Sequence, residues 1–423
     1  MSWTRRAFLK GGALAFFGAG VSGAGPAFLG RAALAATPRR APARRKALVA
    51  IFQRGAMDGL AAVTPVEEEG RLERMRPRLA LSAARAAGEE RLLDLGVGYG
   101  LHPSFEPLLP FFREGRLAVV HGVGSPDPTR SHFDAQDFME SGTPGVKSTS
   151  DGWLNRVCGE LGHEATPYRA VALTPAAPRS LYGPEPALAV ADLRDLRLDG
   201  RGGELAGGAA GGFESLYRQA SAELLRGTAE SGFEAIELLR ALELRNAPSA
   251  PGVDYPKSPL GRSLRQIALL IRGGVGLEVA FAETGGWDTH VQQGSDGGNF
   301  ARRAADLAES LRAFWLDLGE HRDDAVVLTM TEFGRTVAEN GAGGTDHGHG
   351  SCLFVLGGAV DGGKVHGRLE SLDPDALHEG RDLPVTTDFR SVFAEVAGRH
   401  LGIDDDQALF PGWTGARLPL LRR

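Results

Sequence analysis

Four stretches of this sequence are almost continuously apolar and lack the polar and apolar alternation of a strand with one face in water. They cover residues 46–52, 117–124, 325–331 and 351–356. A strand covered on both faces has this pattern. Residues 259–272, 299–318 and 389–401 instead carry apolar positions at helical spacing. Strands that alternate with helices predict an α/β fold, a doubly wound, mostly parallel sheet with helices on both faces.

We expect residues 46–423 to form one domain around this sheet. Short strands are also predicted at 170–173 and 277–281, and a short helix at 103–112. The Gly, Pro and Ala content of 141–210 and the helical spacing of 213–245 indicate loops and helices inserted around 141–260.

Side chains that bind metals stand at the ends of the predicted strands. Ligands of an open α/β sheet gather at the carboxyl ends of strands, and carboxylates and imidazoles bind divalent cations. The alternative is that these residues are turn formers and caps in glycine-rich loops, and the residues alone leave it open. The candidate ligands are Asp58 after the first run, Asp288 and His290 after 277–281, Glu332 after 325–331, and Asp346, His347 and His349 in the loop 344–350.

Ser131 is a candidate nucleophile because it lies at the start of a predicted helix over 131–140. The amides at a helix N-terminus favour an oxyanion. Plain N-capping by Ser131 is the competing interpretation. Thr129 is a second hydroxyl in the same loop. Arg130 and Arg335, beside Ser131 and Glu332, are candidate donors to a phosphate or sulfate, although surface ion pairs are the commoner role of arginine.

The N-terminus has the pattern of an export signal. Arg5 and Arg6 precede Phe-Leu-Lys, a weakly apolar Gly/Ala stretch follows, and small residues stand at 33–36. Residues 1–36 resemble a twin-arginine signal peptide, and 37–45 form a flexible lead-in. An uncleaved membrane anchor is the alternative, but the apolar stretch is short for a span. We therefore expect a periplasmic or otherwise exported protein with no stable membrane span after cleavage.

The charge of the chain is unevenly distributed. Its first 46 residues contain nine Lys or Arg and no acid, which leaves 38 basic against 53 acidic residues after them, a charge of −15. An acidic body argues against nucleic acid or an anionic membrane as partner and suits a protein that holds cations. The two cysteines, Cys158 and Cys352, are expected to be buried thiols, with a disulfide as the alternative.

These motifs together resemble an exported family known as domain of unknown function 1501, which is placed in the alkaline phosphatase and sulfatase-like superfamily. The resemblance covers nearly the whole mature chain. It rests on the twin-arginine leader and on the motifs at 54–59, 130–133, 286–290, 331–336 and 344–348.

The superfamily has an Asp after the first strand, a nucleophile at a helix N-terminus, an Asp and a His after a later strand, an acid with a His after the next strand, and a final His. The resemblance therefore implies an alkaline phosphatase-like fold and a divalent metal site of one or two ions. Zn, Mn, Mg and Ca are not distinguished. In this sequence those positions fall on Asp58, Ser131, Asp288 with His290, Glu332, and Asp346 with His347 or His349.

Two departures from that pattern bear on the metal count. Phe333 stands where the superfamily has a His, and the interval from Asp288 to His290 is shorter than the usual spacing. Either His132 or His349 is expected to replace the missing imidazole, or one metal position is lost.

Two functions are consistent with these residues. The first is an exported metal-dependent hydrolase of phosphate or sulfate esters, with a small anionic ester as substrate and Ser131 as nucleophile. The second is a catalytically silent relative that binds an exported protein partner. The order of strands and helices disfavours a third possibility, a metallohydrolase built on a barrel.

Replacement of Arg5 and Arg6 by Lys should leave the precursor in the cytoplasm, because the paired guanidinium groups identify the signal to the export machinery. Fractionation of cells that express the wild-type and variant precursors measures this. Normal maturation of the variant would contradict the proposed targeting.

Overall fold

The buried strands predicted from the sequence form the centre of the sheet in the computed structural model, which describes residues 44–84, 91–195, 247–367, 369 and 371–422. The predicted signal peptide, nearly all of the lead-in and the predicted helical segment 213–245 lie outside the described residues.

The strands of the described residues are β1 Ala47–Gln53, β2 Val63–Pro65, β3 Leu93–Asp94, β4 Tyr99–Leu101, β5 Leu117–Gly124, β6 Ala170–Ala172, β7 Leu188–Ala189, β8 Val279–Thr284, β9 Ala325–Met330, β10 Ser351–Gly357, β11 Val365–His366 and β12 Thr387–Asp388. They belong to two sheets, one of nine strands in the order β11-β5-β10-β9-β1-β8-β6-β7 with β12 beside β5, and one of three in the order β2-β4-β3.

Strand β10 is antiparallel to both of its neighbours, while the other pairings of the large sheet are parallel. Because β10 is reversed, its first residue lies at the edge where β1, β5, β8 and β9 end. The loop that precedes β10 therefore meets the loops that follow the parallel strands. This reversal brings distant parts of the sequence to one edge of the sheet.

Helices cover both faces of the large sheet. The α-helices of the described residues are α1 Gly59–Ala62, α2 Glu69–Met75, α3 Leu109–Arg113, α4 His132–Ser141, α5 Trp153–Glu160, α6 Pro259–Arg272, α7 Gly298–Leu318, α8 Phe389–Glu395 and α9 Asp406–Leu409. On β1, Ala47, Val49 and Ile51 face a core built with α6 and α7. The alternate residues Leu48, Ala50 and Phe52 face a second core built with α5 and α8.

Short segments of other helix types complete the architecture. 3₁₀ turns cover Val66–Glu68, Pro103–Leu108, Arg179–Leu181, Leu193–Asp195, Gly319–Asp324 and Pro374–Ala376, and a π-helical segment, Val396–His400, extends α8. In the described part of the chain, no helix is both long and apolar enough to cross a membrane.

The predicted fold class is confirmed by the strand order and by the helices on both faces. The predicted strand at 117–124 and helix at 259–272 have the bounds that the structure gives them. The predicted helix at 103–112 divides into a 3₁₀ segment and α3, because Pro107 and Pro110 interrupt the amide donors of a regular helix. Cys158 and Cys352 are buried thiols, as expected.

His121 and His400 are buried in the core away from the strand-end loops. His121 Nε2 donates to the Val63 carbonyl at 2.9 Å, and its Nδ1 accepts from the Gly122 amide. His400 Nε2 lies 3.1 Å from the Ala47 carbonyl. Burial lowers the pKa of both residues to about 4, because the charged imidazolium loses its hydration.

The protein should therefore lose stability as the pH falls from about 6.5 to about 4. The unfolded chain takes up protons at these two histidines over that interval and the folded chain does not. Each histidine therefore lowers the free energy of unfolding by roughly 3 kcal/mol. Denaturant unfolding at several pH values measures the loss. The variant His400→Gln has no titrating group at this position and should lose less stability over the same pH interval. Equal losses in the wild type and the variant would contradict the role given to His400.

Candidate metal centre

Arg335 is a fully buried guanidinium that connects the loops at the carboxyl edge of the sheet. Its Nε donates to the Ala56 carbonyl at 2.9 Å, and its Nη2 donates to the Gly55 carbonyl at 2.7 Å. Nη1 donates to the Thr345 carbonyl at 3.1 Å, and Nη2 also donates to Asp288 Oδ1 at 2.5 Å. The loops after β1, β8 and β9 and the loop before β10 are thereby held together.

These loops are packed so closely that one of the turns requires glycine. Gly55 has φ +115°, and a Cβ atom there would lie 2.5 Å from the backbone nitrogen of Asp288. The turn after β1 therefore passes directly beside the loop that carries Asp288.

Three histidines from separate loops converge beside Asp288. His132 Nε2 lies 3.0 Å from His347 Nε2, and His290 Nε2 lies 2.9 Å from the same atom. Asp288 Oδ1 is 3.2 Å from His290 Nε2 and 3.4 Å from His347 Nε2, and its Oδ2 is 3.6 Å from His132 Nε2. Three imidazole nitrogens thus converge on the carboxylate of Asp288.

The other nitrogen of each imidazole is held by an acceptor. His132 Nδ1 lies 2.8 Å from Glu332 Oε1, His290 Nδ1 2.9 Å from Asp346 Oδ1, and His347 Nδ1 3.0 Å from the Arg130 carbonyl. Carbonyls and ionised carboxylates have no hydrogen to donate, so each Nδ1 carries the proton. When the rings are neutral, their lone pairs therefore lie on the three Nε2 atoms.

The charges of the two carboxylates agree with their role as acceptors. Burial acts to raise the pKa of Glu332, but hydrogen bonds from His132, Gln136 and the Gly55 amide outweigh it and hold that pKa below its usual value. Burial likewise acts to raise the pKa of Asp288, and the hydrogen bond from Arg335 leaves it lowered. The hydrogen bond to Glu332 raises the pKa of His132. Both carboxylates are therefore ionised at neutral pH.

This arrangement fits a divalent cation. Lone pairs that face each other at about 3 Å repel, and a cation between them removes the repulsion. Metal-binding histidines characteristically donate their other ring N–H to a carboxylate or a carbonyl, as all three do here. Among the described residues, one group has ligand atoms mutually within 4.8 Å, namely His132, Asp288 and His347, and His290 adjoins it. The described residues thus offer one cation position.

The candidate ligands predicted from the sequence occupy different places in this arrangement. Asp288, His290 and His347 belong to this cluster, with both imidazole Nε2 atoms close to Asp288 Oδ1. Glu332 and Asp346 lie behind the rings of His132 and His290 and orient them.

The structure places Asp58 and His349 outside the group of ligand atoms. The carboxylate of Asp58 caps α1 at the Ala61 amide, pairs with Arg76 at 2.8 Å and accepts from Gln293 at 2.7 Å. Its oxygens therefore serve the fold. His349 is buried and its ring stacks on that of His378 at 4.4 Å.

The two arginines predicted to bind substrate are engaged within the protein. Arg335 donates to backbone carbonyls and Asp288, as described above. The Arg130 guanidinium donates to Asp382 at 2.6 Å and to Glu379 at 2.7 Å. Ser131 stands at the N-cap position of α4 and is exposed, but its side chain makes no capping hydrogen bond. The hydroxyl next to His132 is therefore not occupied by the helix terminus.

Sequence reasoning kept His132 only as an alternative and did not single out Gln136. The available signal was their spacing of four residues on one predicted helix, which places both on the same helical face. Phe333, at the position where the resemblance expects a His, packs against the rings of His132 and His347 at 4.9 and 5.0 Å. It supports the ligands and is not one of them.

Comparisons with known proteins identify a family and distant folds. A family model with the description "Protein of unknown function (DUF1501)" matches residues 118–410. No curated protein matches the chain.

Three solved structures are similar over most of their length. An alkaline phosphatase superfamily protein from Vibrio parahaemolyticus has 11% identity and a TM-score of 0.38, with 89% of this chain and 70% of that chain covered. The lipoteichoic acid synthase LtaP from Listeria monocytogenes has 9% identity and a TM-score of 0.35, with 87% of this chain and 75% of that chain covered. The PsFucS1 sulfatase from Pseudoalteromonas sp. has 13% identity and a TM-score of 0.35, with 90% of this chain and 74% of that chain covered.

The variants His347→Ala and His349→Ala should differ in metal content. His347 Nε2 lies at the convergence point and its loss removes one of four ligands, so zinc affinity should fall by at least about 100-fold. His349 lies two residues further along and does not face that point, so His349→Ala should keep its zinc. Zinc titration by calorimetry measures both affinities, and equal loss in the two variants would contradict this ligand set.

Proposed function

Since the chain belongs to the DUF1501 family, whose description states an unknown function, we propose an activity from the geometry of its own site. The protein is an exported metal-dependent hydrolase of phosphate or sulfate esters. The observation that carries this proposal is the convergence of three imidazole Nε2 atoms on Asp288, each ring held from behind by an acceptor.

The donor set favours a particular group of metals. Three imidazole nitrogens and one carboxylate suit zinc, whereas magnesium and calcium prefer oxygen ligands. A cation bound there would act as a Lewis acid that lowers the pKa of a hydroxyl and polarises an ester oxygen.

The site is open enough for a small anionic ester. The side chains of His132 and His347 are each 25% exposed, that of His290 38% and that of Asp288 46%. The ligand atoms are thus reached from solvent, while their supports Glu332 and Arg335 are buried. A buried support with an exposed face is the usual form of a preorganised site.

Ser131 is the proposed nucleophile. Its hydroxyl precedes His132 directly and caps nothing. In the proposed reaction, the Ser131 oxygen forms a bond to the phosphorus or sulfur of the ester, and the bond from that atom to the leaving alcohol breaks. Water then hydrolyses the serine ester, releases phosphate or sulfate and restores the hydroxyl.

The amides at the start of α4 are the proposed anion donors. The helix has no side-chain cap, so its first amides are directed at the region before it. They take the role that sequence reasoning assigned to Arg130 and Arg335, whose guanidinium groups already have protein acceptors.

A second function has one observation in its favour. Because neither arginine is free to bind an anion, a catalytically silent protein that keeps the cation only to hold its loops together, and that binds an exported partner, agrees with the same geometry. A screen of phosphate and sulfate esters with the zinc-loaded protein separates the two functions, because the silent protein turns over none of them.

The variants Ser131→Ala and Thr129→Ala assign the nucleophile. Ser131→Ala should abolish ester hydrolysis and leave folding and zinc content nearly intact, because the hydroxyl neither caps α4 nor belongs to the ligand set. Thr129 Oγ1 accepts from the Ser131 amide at 3.2 Å, so Thr129→Ala should only weaken activity. Turnover of each variant, with zinc content as the control, is the measurement.

Loss of activity in Thr129→Ala but not in Ser131→Ala would transfer the role to Thr129. Survival of activity in both variants would remove the covalent mechanism.

A further inference from the structure

The carboxylate behind His132 is saturated by donors from three parts of the chain. Glu332 is fully buried, and its Oε1 accepts from the Gly55 amide at 2.9 Å, from His132 Nδ1 at 2.8 Å and from Gln136 Nε2 at 2.8 Å. Its Oε2 accepts from the Thr331 hydroxyl at 3.2 Å. The direction of the His132 ring therefore depends on how firmly this carboxylate is held.

Gln136 lies one turn after His132 on α4. The two side chains share a helical face and meet the same oxygen atom of Glu332. Of the three donors to that oxygen, the Gly55 amide belongs to the backbone and His132 is the group that is oriented. Gln136 is the side chain that contributes a donor without facing the cation position.

The amide of Gln136 is oriented in turn by Arg54. Arg54 Nη1 donates to Gln136 Oε1 at 3.0 Å. A guanidinium has no acceptor, so the amide oxygen faces Arg54 and the NH₂ group faces Glu332. The opposite orientation would place the amide oxygen against a carboxylate oxygen.

Arg54 is itself fixed on several sides. Its Nη1 pairs with Glu140 at 3.0 Å, its Nε pairs with Glu283 at 2.6 Å, and its guanidinium lies 4.3 Å from the centre of the Phe52 ring. Glu140 is held by the Ser180 amide and hydroxyl. A continuous set of contacts thus runs from buried protein through Arg54, Gln136 and Glu332 to His132.

We propose that Gln136, oriented by Arg54, is a positioning residue that holds Glu332 and thereby directs His132 Nε2 at the cation position. This inference rests on the proposed metal centre. It assigns a role to Arg54, the first residue of the motif at 54–59.

The variant Gln136→Leu tests the inference, with Asp137→Asn as its matched control. Leu keeps the helical preference and the approximate volume of Gln but removes the donor to Glu332. Asp137 is the next residue on α4 and pairs with Arg179, outside this set of contacts. Zinc affinity should fall roughly 10- to 100-fold in Gln136→Leu and change less than about twofold in Asp137→Asn.

Two further measurements separate positioning from general structure. The visible spectrum of the cobalt-loaded protein reports the ligand geometry and should change in Gln136→Leu but not in Asp137→Asn. Zinc affinity should also fall in Arg54→Leu. It should stay close to the wild-type value in Arg54→Lys, because lysine keeps a cationic donor to Gln136 Oε1. These Arg54 variants also test the inference if Gln136→Leu does not fold.

The outcomes distinguish this inference from the proposed function. A wild-type protein that binds zinc, together with a Gln136→Leu protein of equal affinity and unchanged cobalt spectrum, overturns the inference and leaves the metal centre in place. A wild-type protein that binds no zinc overturns the proposed function and this inference with it.

Discussion

The structure of the site depends on one buried guanidinium. Arg335 lies just after β9 and donates to carbonyls of three other loops and to Asp288. A buried charge is stable only when its donors are satisfied. The loops must therefore present their carbonyls to Arg335, and in doing so they bring Asp288 and His347 to the same place. Arg335 is not free for an anion because it assembles the site.

The sheet makes this assembly possible. The reversal of β10 delivers the loop 344–350 to the edge where the parallel strands end. A parallel β10 would place His347 at the opposite edge, far from Asp288. One strand direction thus decides whether the last histidine reaches the others. The site at this edge therefore requires the strand topology as well as the individual side chains.

The sheet, its covering helices and most of the candidate ligands could be predicted from the sequence. Buried strands and amphipathic helices have periodic signals, and carboxylates and imidazoles at strand ends indicate a site. The sequence could not separate ligands from their supports, because Asp288 and Glu332 have the same chemistry and differ only in which atoms they meet. Asp58 shows the same limit, since a strand-end carboxylate can also cap a helix and pair with Arg76.

Four side chains, His132, His290, His347 and Asp288, are proposed to hold one cation. X-ray absorption by the zinc-loaded protein measures the ligands directly. Shared coordination by these residues would give one zinc per chain with three imidazole nitrogens at about 2.0–2.1 Å and an oxygen ligand at a similar distance. A zinc spectrum with fewer than three imidazoles, or with sulfur ligands, would contradict this shared coordination.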